Sequence, residues 1–91
     1  MEENEIFISS KKPAINYVLA AQTIASKGIA NITIKARGNN INKAVDVAQI
    51  TISRFLNNYI ICSTNIGTDV FELEDNKKRN VSTIEIYLNK C

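Results

Sequence analysis

The chain has no histidine and no tryptophan, a single proline, three glycines and two cysteines among its 91 residues. Without histidine it lacks the side chain that titrates near neutral pH and the commonest metal ligand. Any cysteine nucleophile would also lack its usual base. Cys62 and Cys91 form no C-x-x-C pair, and two cysteines do not make a disulfide framework. Few glycines and prolines, with 45% hydrophobic and 22% charged residues, exclude a low-complexity or disordered chain. Apolar runs reach about five residues, as at Tyr17–Ala21, far short of a membrane span. The first residues, Met1-Glu-Glu-Asn-Glu-Ile, are acidic and carry no apolar stretch of the kind a signal peptide needs. These absences lead to the expectation of a cytoplasmic protein in a reducing compartment, with no membrane partner.

The length fits one domain spanning 1–91 with a modest core, a size at which oligomerisation is a common source of stability. Residues 5–9 read as a short strand. Pro13 suits the first turn of a helix over about 13–27, with apolar residues at Ile15, Val18, Leu19, Ala21 and Ile24 and a left-handed cap at Gly28. Residues 31–36 alternate as a second strand. After Arg37-Gly-Asn-Asn, where either Asn can cap, a second helix runs from about Ile41 to Leu56. Its apolar stripe is Ile41, Ala44, Val45, Ala48, Ile52 and Phe55. Tyr59–Ile66 reads as a third strand extendable through Val70-Phe71, residues 72–80 as an exposed hairpin tip, and Val81–Leu88 as a fourth strand. In that last strand Ile84, Ile86 and Leu88 share one face and Thr83, Glu85 and Tyr87 the other. Cys62, inside a strand, is expected to be a small buried hydrophobe. The order βαβαββ implies an α/β, two-layer α+β sandwich with two helices on a mixed four-stranded sheet.

A parallel pair of strands, each feeding a helix, puts both helix N-termini beyond one sheet edge, where open α/β sheets bind ligands. Lys11 and Lys12 precede the first helix; Lys35 and Arg37 precede the second, and Lys43 lies in its first turn. Cations there oppose the helix dipole, at a cost of a few tenths of a kcal/mol each. Such a conflict, repeated at two helices, points to an anion site built from lysines, arginine and free backbone N–H groups. Asn39, Asn40 and Asn42 lie in the same region and can donate to phosphate, sugar or base edges, with one of them expected to act as a cap. Lys77, Lys78 and Arg79 form a second basic cluster beside Glu72, Glu74 and Asp75. Asp46 is a lone carboxylate among apolar helix residues, and no Gly-rich phosphate loop or metal-ligand spacing is present, so neither an enzyme, nor a metal, nor a cofactor is expected.

The net charge of +2 conceals a strong asymmetry. Residues 1–10 carry −3, residues 11–45 carry +6 with no acid, and residues 46–91 carry −1. Anion binding is therefore expected on one surface, with ready weakening by salt.

Several separated segments resemble the Alba family of small nucleic-acid-binding chromatin proteins: Lys11-Lys12-Pro13-Ala-Ile-Asn-Tyr-Val-Leu-Ala-Ala, Ile34-Lys-Ala-Arg-Gly-Asn-Asn-Ile-Asn-Lys-Ala-Val-Asp, Arg54-Phe55 and Val81-Ser-Thr-Ile-Glu-Ile. The resemblance implies a fold like the C-terminal domain of translation initiation factor three. It also implies a homodimer that binds double-stranded DNA, and RNA, with little sequence preference, and that is chromosome-associated. It places Lys11 and Lys12 in a nucleic-acid-contacting loop, Lys11 at a position acetylated in the family (so a lysine acetyltransferase and deacetylase are implied partners), and Arg37 in a second binding loop. The hairpin 67–80 matches arms that reach toward the minor groove. Phe55 matches an aromatic used between dimers on DNA, the alternative being core packing. Ser10, where the family usually has Gly, and Asn39, where a basic residue is common, depart from the pattern. An RNA-dedicated role, as a ribonucleoprotein subunit or messenger-RNA binder, is the alternative function; a protein-interaction module built on the second helix is a third.

Overall fold

The computed structural model describes residues 3–91. Four strands and two helices follow in the order β1 (Glu5–Phe7), α1 (Ala14–Ser26), β2 (Asn31–Arg37), α2 (Ile41–Ile50), β3 (Tyr59–Glu72) and β4 (Lys78–Lys90). The sheet order is β1-β2-β4-β3. β1 runs parallel to β2, and both remaining pairings are antiparallel, which gives the mixed sheet expected from the element order.

Period-two alternation decides which face each strand covers. Ile32, Ile34 and Ala36 of β2 and Ile86 and Leu88 of β4 are buried beneath the helices, joined by Val18, Ala21 and Ile24 of α1 and Ala44, Val47 and Ala48 of α2. Each fully buried Ile, Leu or Val contributes about 1.5–3 kcal/mol. The opposite face holds Lys35 and Glu85, paired across β2 and β4. α1 ends as its sequence predicts: Gly28 takes φ +83°, and its N–H donates to the Ala25 carbonyl at 3.0 Å.

Four expectations are corrected. First, the buried stripe of α2 is Ala44, Val47, Ala48 and Thr51, while Val45 and Phe55 are exposed. Val45 falls off the regular i, i+3, i+4, i+7 set of Ala44, Val47, Ala48 and Thr51, and a π turn over Thr51–Phe55, closed by the Leu56 N–H on the Thr51 carbonyl at 2.7 Å, widens the helix beyond Ile50 and turns Phe55 outward. Second, β4 begins at Lys78 rather than Val81, so the hairpin tip is shorter than 72–80. Glu72 pairs with Lys78 and Phe71 with Arg79, and a ladder solvated on both faces needs no apolar alternation to announce it. The chain reverses through Asp75 and Asn76, both at positive φ, a conformation that Asp and Asn tolerate better than other side chains. Third, Cys62 is exposed. It sits where the β3–β4 register slips between Ile61 and Ser63, a bulge on the edge strand. Fourth, neither Asn39 nor Asn40 caps α2. Residues 38–40 form a 3-10 turn that runs into the helix, so Asn40 has helical φ and ψ and makes no side-chain cap bond. A side-chain cap requires extended backbone at that position.

The distal halves of β3 and β4 leave the body as a two-stranded arm, and the molecule measures 49 × 23 × 21 Å. No helix among the described residues is long and apolar enough to cross a membrane.

Candidate nucleic-acid interface

Parallel pairing of β1 and β2 delivers both basic segments to one end of the sheet. The chain leaves β1 through Ile8–Pro13 into α1, and leaves β2 through Arg37–Asn40 into α2. The two connections touch: the Lys43 ammonium, from the first turn of α2, donates to the Ser9 carbonyl at 3.0 Å and the Lys12 carbonyl at 2.9 Å. From α1, the Tyr17 hydroxyl accepts the Ser9 N–H at 3.0 Å and lies 2.9 Å from the Ser9 hydroxyl oxygen. That hydroxyl bond, with the backbone bond to Ser9 and the charges of Lys43 and Lys12, holds the Tyr17 phenol below its ordinary pKa despite burial.

Lys11 and Lys12 are exposed, and among the described residues no carboxylate pairs with either. Neither helix carries an acid in its first turn or a side-chain cap. The start of α1 and the 3-10 turn that leads into α2 therefore lie at the same end of the molecule without side-chain caps, while the Asn16 and Ile41 N–H groups donate to the Pro13 and Gly38 carbonyls. Asn39 and Asn42 are exposed beside them, and Asn40 is half-buried.

The other cations have partners. Lys35 lies between Glu5 and Glu85, in contact with the first and 3.4 Å from the second, and its ammonium is 5.5 Å from the centroid of the Phe7 ring. The Glu5 carboxylate foremost, with help from Glu85, holds the Lys35 ammonium above the usual lysine pKa. Arg37 is exposed and forms an ion pair with Asp69 at the base of the arm. Lys77 stands at the arm's tip, with Lys78 and Arg79 opening β4; all three are exposed, and none is in an ion pair among the described residues. The neighbouring Glu72, Glu74 and Asp75 thus leave these charges available.

The structure brings together Lys11, Lys12, Lys43, Arg37 and the three asparagines, turns Lys35 toward the open sheet face, and carries Lys77, Lys78 and Arg79 away on the arm. Phe55 is 42% exposed, which rules out its core-packing alternative. Sequence reasoning missed Tyr17 and Asp69. Tyr17 was legible as a hydroxyl inside an apolar run; Asp69 had no local signal, because its partner comes from another strand. Among the described residues no group of histidine, cysteine or acidic side chains could hold a metal.

A family model described as Alba matches residues 4–69. The chain is 45% identical over 89 residues to the DNA/RNA-binding protein Alba of Methanocella arvoryzae, covering 98% of this chain and 92% of that protein. The solved structure of Alba from Thermoplasma volcanium superposes with a TM-score of 0.87 at 42% identity, covering 96% of this chain and all of that one. ALBA1 from Trypanosoma brucei superposes with a TM-score of 0.81 at 16% identity, covering the whole chain and 72% of that protein, a likeness of fold alone.

Proposed function

Because the chain belongs to the Alba family, we propose that it is a nucleic-acid-binding protein, not an enzyme, that grips double-stranded DNA, and RNA, through phosphates. The observation that carries this reading is the meeting, at one end of the sheet, of two acid-free helix starts without side-chain caps and of Lys11 and Lys12, which pair with no carboxylate among the described residues. A helix N-terminus attracts anions through its free N–H groups and dipole, and lysines beside it add mobile point charges. Arg37 extends the surface toward the arm, where Lys77, Lys78 and Arg79 reach further phosphates along a groove. Asn39, Asn40 and Asn42 supply neutral donors to phosphate or sugar oxygens. Lys35, held between two carboxylates on the open face, contributes through the field rather than by contact. Phosphate contacts carry no sequence information, so preference among sequences is small.

We read the working form as a homodimer. Val45, Ile60 and Ile66 are 40%, 52% and 78% exposed in the single chain, an apolar load that a second copy would remove from water. Phe55 is free on the surface for contacts between dimers on DNA. Lys11 is accessible to an acetyltransferase, and acetylation would delete one phosphate-binding charge. Compaction of chromosomal DNA is the role such binding serves.

The test is a titration of duplex DNA at several salt concentrations with the natural chain and Lys11→Ala/Lys12→Ala. Neutralising about four phosphates per protomer predicts a slope of log K against log[salt] between about −3 and −4, reduced by about two in the double variant. An unchanged affinity in the double variant removes the proposed site. Competition with structured RNA of matched length ranks the two targets, and an RNA preference of about a hundredfold, well above what phosphate contacts alone confer, replaces DNA with RNA as the main target.

A further inference from the structure

We infer that Lys43 is a positioning residue for the Lys11–Lys12 loop and not itself a phosphate contact; the inference rests on the nucleic-acid reading above. Two of the three N–H donors of its ammonium are taken by the Ser9 and Lys12 carbonyls, at 3.0 and 2.9 Å. The bonds reach from the first turn of α2 to both sides of the loop that holds the lysine pair. Tyr17 seizes the same loop from α1: its hydroxyl accepts the Ser9 N–H at 3.0 Å and lies 3.2 Å from the Ser9 carbonyl oxygen. Two helices thus clamp Ser9–Lys12 from below while the Lys11 and Lys12 side chains stay exposed. Lys43 is half-buried under the loop, its stem held by the contacts its head makes.

The clamp has a consequence for binding. A loop already ordered in the free protein loses less conformational freedom when it closes on a phosphate backbone. A cation in contact with phosphate releases a counterion and steepens the salt dependence; a cation that holds a loop raises affinity without adding to the slope. Lys43 therefore differs from Lys11 and Lys12 in a measurable way, although all three are lysines at the same end of the molecule.

The experiment uses the full chain and a mixed-sequence DNA duplex, with Lys43→Met, Tyr17→Phe and Lys12→Ala compared across a salt series. Backbone ¹⁵N relaxation of Ser10–Lys12 is recorded in the free proteins. Lys43→Met is expected to lower affinity about tenfold with the salt slope unchanged, and to raise the mobility of Ser10–Lys12 before any DNA is added. Tyr17→Phe removes no charge, loosens the same loop, and is expected to give the same signature more weakly; it carries the test if Lys43→Met does not fold. Lys12→Ala is expected to reduce the slope by about 0.9 and leave the loop ordered. A Lys43→Met protein with natural affinity, a slope reduced as in Lys12→Ala, or an unchanged loop mobility overturns the inference. If the natural chain binds no duplex at low salt, the nucleic-acid reading falls, and the relaxation measurement by itself still decides whether the clamp exists.

Discussion

Arg37 and Asp69 couple the second basic loop to the root of the arm: guanidinium and carboxylate lie 3.5 Å apart, and the guanidinium carbon is 5.7 Å from the centroid of the Phe71 ring. Both charged groups are more than half exposed, so the pair itself is worth little, on the order of 0.2–1 kcal/mol. Its importance is electrostatic. Asp69 is a negative charge beside a cation proposed to meet phosphate, and it competes for that cation.

Asp69→Asn is therefore expected to strengthen DNA binding about two- to fivefold at low salt, with the gain fading as salt is raised. Fluorescence anisotropy at low and high salt measures it. No change at either salt would mean that Arg37 stays outside the interface.

Lys35 gives a pH-dependent prediction. Its folded-state pKa is raised by Glu5 and then Glu85, so the ammonium form is favoured by folding. The resulting stability is fully present below the unfolded lysine pKa of about 10.4 and is lost as pH rises through the higher folded value. Lys35→Met is expected to cost about 1 kcal/mol at neutral pH, a modest figure because the cluster meets solvent on its outer side. The difference from the natural chain should shrink above about pH 10.5 as the native ammonium deprotonates. Denaturant unfolding at neutral pH and at about pH 11 checks both parts, and DNA binding at neutral pH should fall less than in Lys12→Ala.

Thr51 offers a stabilising change. It is fully buried, and its hydroxyl oxygen has no hydrogen-bond partner among the described residues. A valine keeps the shape and removes the unmatched polar group. Thr51→Val is expected to raise stability by about 1 kcal/mol, read as an increase in thermal midpoint of several degrees for a domain of this size. A loss of stability would show that the hydroxyl matters to the π turn over Thr51–Phe55.

Much of the fold was legible because its signals are local. Helical spacing in α1, Gly28 after it, and alternation in β2 and β4 each reside within a few consecutive residues, and backbone geometry converts them directly into elements. The asymmetry of charge was equally visible: six cations and no acid between residues 11 and 45, five of them around two helix starts. Family membership was legible through several short segments in order along the chain, from Lys11-Lys12-Pro13 to Val81-Ser-Thr-Ile-Glu-Ile.

Tertiary structure decided what those local signals could not. Whether Val47 or Val45 of α2 faces the core depends on the sheet beneath it, and the exposure of Phe55 follows the π turn beyond Ile50. Cys62 is exposed because β3 became the edge strand and slipped its register there. Most of all, five cations near two helix starts look alike in sequence, yet they divide by partner. Lys11 and Lys12 pair with no carboxylate among the described residues, Lys43 holds two carbonyls, Lys35 rests between Glu5 and Glu85, and Arg37 meets Asp69. Those partners come from distant parts of the chain, and a lysine's role is set by the groups that folding places within about 3–4 Å of its ammonium.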